Sequence, residues 1–257
     1  MLTRNQIKFI SSLQKKKIRE EERLFIIEGD KIVREFLGSG MKIVSLVAKP
    51  EFISSLGQEL RSTVEDIIPV SYEELKKISG LKSPHNAMAI VRMPDTENNP
   101  MPSPDEFTIV LDCIQDPGNL GTIIRAAAWF GFRRIICSID SVDVFNPKVI
   151  QATMGAILNV EVLYSDLRDF LGKARKASVP VFGTLLEGDS VYNSALGKSG
   201  IILLGNESKG ISRELTRYID YRISIPKFTL NDRGIESLNA GMAASIVFSE
   251  FKRRTVP

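Results

Sequence analysis

The sequence predicts an α/β protein whose C-terminal part is a doubly wound, mostly parallel sheet and whose N-terminal part is a smaller α/β domain. Short apolar runs alternate with amphipathic stretches along the whole chain. In the C-terminal part these runs are continuously apolar, as strands are when helices cover both faces of a parallel sheet. Between the two parts lies "MPDTENNPMPSPDE" (93–106), rich in Pro, Asn and Asp and without apolar periodicity, which reads as a linker. It divides the 257 residues into domains over 1–92 and 107–257.

The elements follow in order. Residues 3–17 place Ile7, Ile10 and Leu13 on one helical face. "RLFIIEG" (23–29) reads as a strand, 30–38 as a helix, "KIVSLVAK" (42–49) as a strand and 50–60 as a helix. "DIIPV" (66–70) is a strand, 71–79 a helix and "AMAIVRM" (87–93) a strand. Beyond the linker the expected strands are 107–114, 133–138, 157–163, 179–186, 200–205 and 221–226, with helices between them and a last helix over about 237–252.

Hydrophobic content of 43% and charged content of 25% are those of a soluble globular protein. The net charge of +3 does not itself announce a nucleic-acid partner, but its distribution does more. The first 19 residues hold Arg4, Lys8, Lys15, Lys16, Lys17 and Arg19 and no acid, a patch suited to phosphate backbones. No secretory h-region and no run of about 18 apolar residues is visible, so no membrane association is expected. Cys113 and Cys137 fall in expected strands and read as small apolar residues. They form neither a disulfide framework nor a zinc site, and a cytoplasmic location is expected.

In open α/β sheets ligands bind beyond the carboxyl ends of strands, which directs attention to three loops. The first is Asp116-Pro117-Gly118-Asn119-Leu120-Gly121, leading into a helix of small residues that carries a single arginine, Arg125. It lacks the dinucleotide G-x-G-x-x-G and the Gly-Lys-Ser/Thr of a P-loop, which counts against an enzyme using NAD or ATP. Asn119 is placed to cap the helix. Arg125 shares its face with Gly121, Thr122, Ala128 and Trp129, and its planar fork suits phosphate or an oxyanion. The second loop, Gly205 to Ile211, precedes Ser212, a candidate helix cap, and holds Glu207, a carboxylate that capping does not require. The third leads to Ser237 and Asn239, with Ser237 as candidate cap, followed by Ala240, Gly241, Ala243 and Ala244, small residues that admit close packing.

"NLGTIIRAA", "GNESKGIS" and "IP…SLNAGMA", in this order and each at a strand-to-helix turn, resemble the three motifs of the SpoU/TrmH branch of the SPOUT RNA methyltransferases. "EERLFIIEGDKIVREFL" (21–37) is similar to part of the substrate-binding domain that precedes the catalytic domain in that branch, a ribosomal-protein-like RNA-binding fold. The resemblance implies transfer of a methyl group from S-adenosylmethionine to a ribose 2′-hydroxyl in RNA, with ribosomal RNA as the first expectation. It also implies a deep trefoil knot in the C-terminal domain and a homodimer. By motif position, Asn119, Arg125, Glu207, Ser237 and Asn239 would surround the transferred methyl. Thr184, Leu185, Gly205, Asn206, Gly210, Ile225 and Leu238 would hold the cofactor. Arg4, Lys15, Lys16 and Lys17 would contact RNA, and no metal is implied. The chain departs from the pattern twice: the stretch between Pro226 and Ser237 is longer, carrying Asn231, Asp232, Arg233 and Gly234, and Gly241 stands where serine is usual. A transfer-RNA methyltransferase and a non-catalytic RNA-binding or ribosome-assembly factor remain the alternatives.

Overall fold

A computed structural model describes residues 1–95, 99–229 and 237–254. The chain forms two compact units: Met1–Asp95 with Asp143–Leu158, and Thr96–Val142 with Asn159–Pro257.

The first unit is built on a four-stranded mixed sheet of β1 (Leu24–Glu28), β2 (Ile43–Ala48), β3 (Val64–Pro69) and β4 (Ala87–Arg92), in the order β1-β4-β2-β3. The two pairs made by β4 are antiparallel and the β2–β3 pair is parallel. Alternate residues feed two cores. Phe25, Ile27, Ala87, Ala89 and Val91 pack with α3 (Asp30–Leu37) on one face. Leu24, Ile26, Met88 and Ile90 pack on the other face with Ile10 of α1 (Arg4–Ser12) and with Leu75 and Ile78 of α6 (Tyr72–Ile78).

The segment 143–158 is an insertion that the first unit captures. Arg19, from α2 (Lys16–Glu22), is 1% exposed; its guanidinium pairs with Asp143 and also donates to the carbonyls of Leu13 and Gln14, each at 2.9 Å. Phe145 lies 4.7 Å from the Phe25 ring, and Ile150 of α8 (Pro147–Thr153) enters the core. Arg19 therefore leaves the basic patch for a structural role.

The second unit holds a six-stranded sheet in which every described pairing is parallel, in the order β10-β8-β9-β5-β6-β7. The strands are β5 (Phe107–Leu111), β6 (Arg134–Ser138), β7 (Glu161–Ser165), β8 (Val181–Ser190), β9 (Gly200–Leu204) and β10 (Tyr221–Ser224). Val110, Ile136, Leu163 and Val181 pack against α9 (Leu167–Lys176) on one face. On the other, Phe107 and Phe182 meet Phe251 of α10 (Ala240–Arg253) at 5.1 and 5.2 Å, and Phe132 meets Phe248 at 4.9 Å. Burying each such ring is worth about 1.5–3 kcal/mol. α10 also lies against α7 (Pro117–Trp129). Among the described residues no helix is long and apolar enough to cross a membrane.

Several elements differ from the sequence expectation. The helix expected over 3–17 is two, because the chain turns at 13–15 between α1 and α2. That expected over 50–60 is also two, α4 (Pro50–Ser54) and α5 (Gln58–Ser62), with Gly57 as the second N-cap. The start of the strand expected over 157–163 is a 3₁₀ turn, Ala156–Asn159. β8 runs on to Ser190 because it bulges: Gly183 pairs with Arg222, but Asp189 pairs with Ile223, so residues 184–188 are looped out. Cys113 lies beyond β5 with φ 56° and is not a strand residue.

The end of α10 is anchored by charge. Glu250, 6% exposed, accepts from Arg253 Nη2 at 2.8 Å and Arg254 Nε at 2.9 Å, and Arg254 also donates to the carbonyls of Val191, Tyr192 and Ser194. Arg253 first, then Arg254, hold the Glu250 carboxyl below the usual glutamate range. Its folded pKa is depressed, so this stabilisation is present at neutral pH and lost as pH falls through that value. Glu250→Gln is expected to cost on the order of 1 kcal/mol at neutral pH. In thermal melts its difference from the wild type should shrink once pH drops below about 4.

Candidate functional site

The three loops singled out in the sequence all belong to the second unit and follow the carboxyl ends of β5, β9 and β10. In the first, Asp116 rather than Asn119 caps α7: it has extended backbone, Pro117 follows at the first helical position, and its Oδ1 accepts from Asn119 N at 2.8 Å. Asn119 sits one turn inside, 8% exposed, with its side chain left for other partners.

The second loop is a tight closed turn. Asn206 and Gly210 exchange backbone hydrogen bonds of 3.0 and 2.8 Å. The Asn206 Oδ1 accepts from the amides of Ser208 and Lys209, and its Nδ2 donates to the Cys113 carbonyl at 2.9 Å, fastening this loop to the first. A Cβ at Gly205 would overlap the backbone of Gly210 and Ile211, so only glycine closes this turn. No α-helix follows Ser212; the chain makes a 3₁₀ turn at Thr216–Tyr218. The Ser212 amide is instead held by the buried Asp112 Oδ2 at 2.6 Å.

In the third loop Asn239, not Ser237, caps the helix, its Oδ1 accepting from the amides of Gly241 and Met242 at 3.0 and 3.3 Å. Ser237 donates to the Glu207 carbonyl at 3.5 Å, its one hydrogen bond among the described residues. Asn231, Asp232, Arg233 and Gly234 lie outside the described residues.

The loops meet at Glu207. Its Oε1 accepts from Asn119 Nδ2 at 2.5 Å, Asn239 Nδ2 at 3.0 Å and the Ala240 amide at 2.8 Å, while Asn239 Nδ2 also reaches Asn119 Oδ1 at 2.7 Å. One carboxylate oxygen thus gathers residues 119, 239 and 240 around residue 207. An ionised carboxylate accepts several donors at once, which explains why a capping turn carries an acid here.

Beside this cluster opens a pocket of about 580 Å³, inside the range of small-molecule sites. All seven residues expected to hold the cofactor line it: Thr184, Leu185, Gly205, Asn206, Gly210, Ile225 and Leu238. Glu207 and Ser237 also reach its wall. Leucine and isoleucine side chains make part of its wall apolar, and the turn at 205–210 adds polar backbone, a mixed lining that fits a nucleoside. The looped-out stretch of β8 forms one rim. Sequence reasoning missed Thr216 and Arg222 in the lining; both sit in short elements with no motif around them.

Arg125 is exposed on α7 and makes no hydrogen bond or ion pair among the described residues. Trp129, one turn on, is 84% exposed. Arg4, Lys15, Lys16 and Lys17 are all exposed on the first unit; Lys16 and Lys17 make only 3.7 Å pairs with Glu20 and Glu21, which leave them accessible. Near the site, burial and then Asp140 push the Cys113 thiol up, whereas a hydrogen bond from Ser138 holds Asp140 down. Neither cysteine is an activated nucleophile: full burial raises Cys137 as well. Among the described residues no His, Cys, Asp and Glu cluster could hold a metal ion.

Comparison with known proteins places this architecture. The sequence pattern of the SpoU rRNA methylase family matches residues 106–249, and that of the MRM3-like substrate binding domain matches 4–89. A solved structure of a TrmH-family protein from Porphyromonas gingivalis is 36% identical, with a TM-score of 0.87 over 99% of both chains. The AdoMet-bound rRNA methyltransferase from Sinorhizobium meliloti is 30% identical, with a TM-score of 0.87 over 100% of this chain and 97% of that one. The 23S rRNA (guanosine(2553)-2′-O)-methyltransferase RlmP of Bacillus subtilis is 26% identical over 94% of each chain.

Gly241 has a steric reason. A Cβ there would lie 2.7 Å from Thr122 Cγ2 on α7, so a threonine on one helix is matched by a glycine on the other. Gly241→Ser is expected to destabilise the chain by about 1–3 kcal/mol. Adding Thr122→Ala should restore most of that loss, read as coupling in a double-mutant cycle of denaturant melts.

Proposed function

Because this chain belongs to the SpoU rRNA methylase family, we propose that it transfers a methyl group from S-adenosylmethionine to a ribose 2′-hydroxyl of ribosomal RNA. The observation that carries the reading is the join at Glu207, which holds three loops together beside a nucleoside-sized pocket. The solved relative bound to AdoMet and the relative named for 23S rRNA 2′-O-methylation support the cofactor, the substrate class and the chemistry.

Thr184, Leu185, Gly205, Asn206, Gly210, Ile225 and Leu238 would hold the adenosine portion in the pocket. When bound, S-adenosylmethionine supplies an electrophilic sulfonium methyl. The protein's task is then to orient and activate a ribose hydroxyl, a poor nucleophile at neutral pH. Arg125 is the candidate: its planar fork suits phosphate, it is exposed, and among the described residues it has no partner that would compete for an incoming phosphate. A guanidinium holds its proton far too tightly to serve cheaply as a base at neutral pH. Arg125 therefore positions the target nucleotide and stabilises the developing oxyanion, while the proton leaves to water. Glu207, which accepts from Asn119, Asn239 and the Ala240 amide, is a positioning residue for Asn119 and Asn239. Ser237, exposed at the pocket wall, would complete the polar lining.

Arg4, Lys15, Lys16 and Lys17 on the first unit would supply phosphate contacts to RNA. A homodimer formed through the α7–α10 side is part of the same reading, supported by Trp129 and Met242, 84% and 59% exposed. So is a trefoil knot, supported by the hydrogen bonds that bind the segment before α10 into the 205–211 turn. A cytoplasmic location goes with a ribosomal substrate.

Arg125→Ala is expected to lower single-turnover methyl transfer to 23S rRNA by about 100–1000-fold while calorimetric S-adenosylmethionine affinity stays unchanged. Arg125→Lys, which keeps charge and loses the fork, should recover only part of the rate. A near-normal rate in Arg125→Ala contradicts this role.

A further inference from the structure

Outside the proposed site, the second unit carries a group of cations with an unusual support. Tyr218, half-buried, has two guanidinium groups against its ring: the Arg175 Cζ lies 5.0 Å from the centroid and the Arg217 Cζ 4.9 Å. Arg217 Nη2 donates to the Tyr218 hydroxyl at 3.0 Å, and Arg175 Nη2 donates to the Arg217 carbonyl. Both arginines are exposed, and neither has an acidic partner among the described residues. Of the nearby acids, Asp166 pairs with Arg168, Asp169 with Lys173, and Asp220 accepts from the Val181 amide, while the exposed Glu214 acts on Arg168 through space and forms no ion pair with either arginine among the described residues.

Two like charges brought onto one ring repel each other, so a purely structural contact would favour a carboxylate beside them. The ring instead holds two guanidinium groups in advance, which lowers the entropy of binding an anion, and each keeps N–H donors beyond the one Nη2 bond it makes within the cluster. Planar forks of this kind match phosphate oxygens. The location is also informative. Tyr218, Ile219 and Leu185 pack on the same core, and Thr216, in the same 3₁₀ turn as Tyr218, lines the nucleoside-sized pocket along with Leu185.

We propose that Arg175 and Arg217, ordered by Tyr218, form a phosphate-binding platform for the RNA backbone on the methyltransferase unit, in addition to the lysines of the first unit. This rests on the reading of the chain as an RNA methyltransferase. The platform contributes affinity without sequence preference, because backbone phosphates carry no base information.

The test is filter binding of the full chain to deproteinised 23S rRNA over a series of KCl concentrations, comparing the wild type with Arg175→Glu/Arg217→Glu and the milder Arg175→Gln/Arg217→Gln. Loss of two phosphate contacts should reduce the log–log salt slope by roughly 1.4–1.8 and weaken binding on the order of tenfold at moderate salt in the Glu pair, less in the Gln pair. Calorimetric S-adenosylmethionine affinity should stay at the wild-type value in both, which shows that the fold and pocket survive. Wild-type affinity and slope in both variants overturn the platform and leave the methyltransferase reading intact. A wild-type chain that shows no salt-dependent binding to this RNA overturns both.

Discussion

A single carboxylate oxygen organises the catalytic unit. Glu207 accepts hydrogen bonds from Asn119, Asn239 and the Ala240 amide, so the turns after β5 and β9 and the approach to α10 share one acceptor. Each loop is short and would be satisfied locally: Asp116 caps α7, Asn206 closes its own turn, and Asn239 caps α10. Local satisfaction alone would leave three independent turns. The shared acceptor couples them, and the pocket beside it depends on all of them keeping their places.

The same dependence explains the pattern of small residues. Gly205 permits the turn to close on Gly210 and Ile211, and Gly241 permits α10 to lie against Thr122. Had either helix or turn stood an ångström further away, the asparagine side chains could not reach a common oxygen. Close packing is thus the means by which polar groups from distant parts of the chain arrive within hydrogen-bonding distance. The first unit uses a comparable device with a different result, since Arg19 and Asp143 form a buried pair that holds an insertion rather than a site.

Much of this architecture was legible in the sequence. The continuously apolar runs announced the parallel sheet, and all seven residues assigned by motif position to the cofactor line one pocket. What escaped was mostly settled by neighbours remote in sequence. Ser237 and Asn119 have the chemistry of helix caps, but Asn239 and Asp116 occupy those positions, which frees Asn119 for Glu207. Arg19 reads as part of a basic patch until Asp143, far along the chain, is seen to bury it. The bulge that carries 184–188 to the pocket rim depends on how β10 pairs, which no local pattern encodes. Cys113 reads as a strand residue, yet the chain turns there with φ 56° so that its carbonyl can receive Asn206.

A site of this kind must bring a ribose hydroxyl, and not a base, to the methyl donor. The most direct measurement incubates the full chain with deproteinised 23S rRNA and isotopically labelled S-adenosylmethionine, digests the RNA to nucleosides and locates the label by mass spectrometry. Label in a 2′-O-methyl nucleoside, with the added mass on the ribose fragment, is the expected result. Label on a base fragment contradicts the proposed chemistry. No transfer at all, from a chain that binds both S-adenosylmethionine and the RNA, contradicts catalysis and favours an RNA-binding factor that has kept the fold.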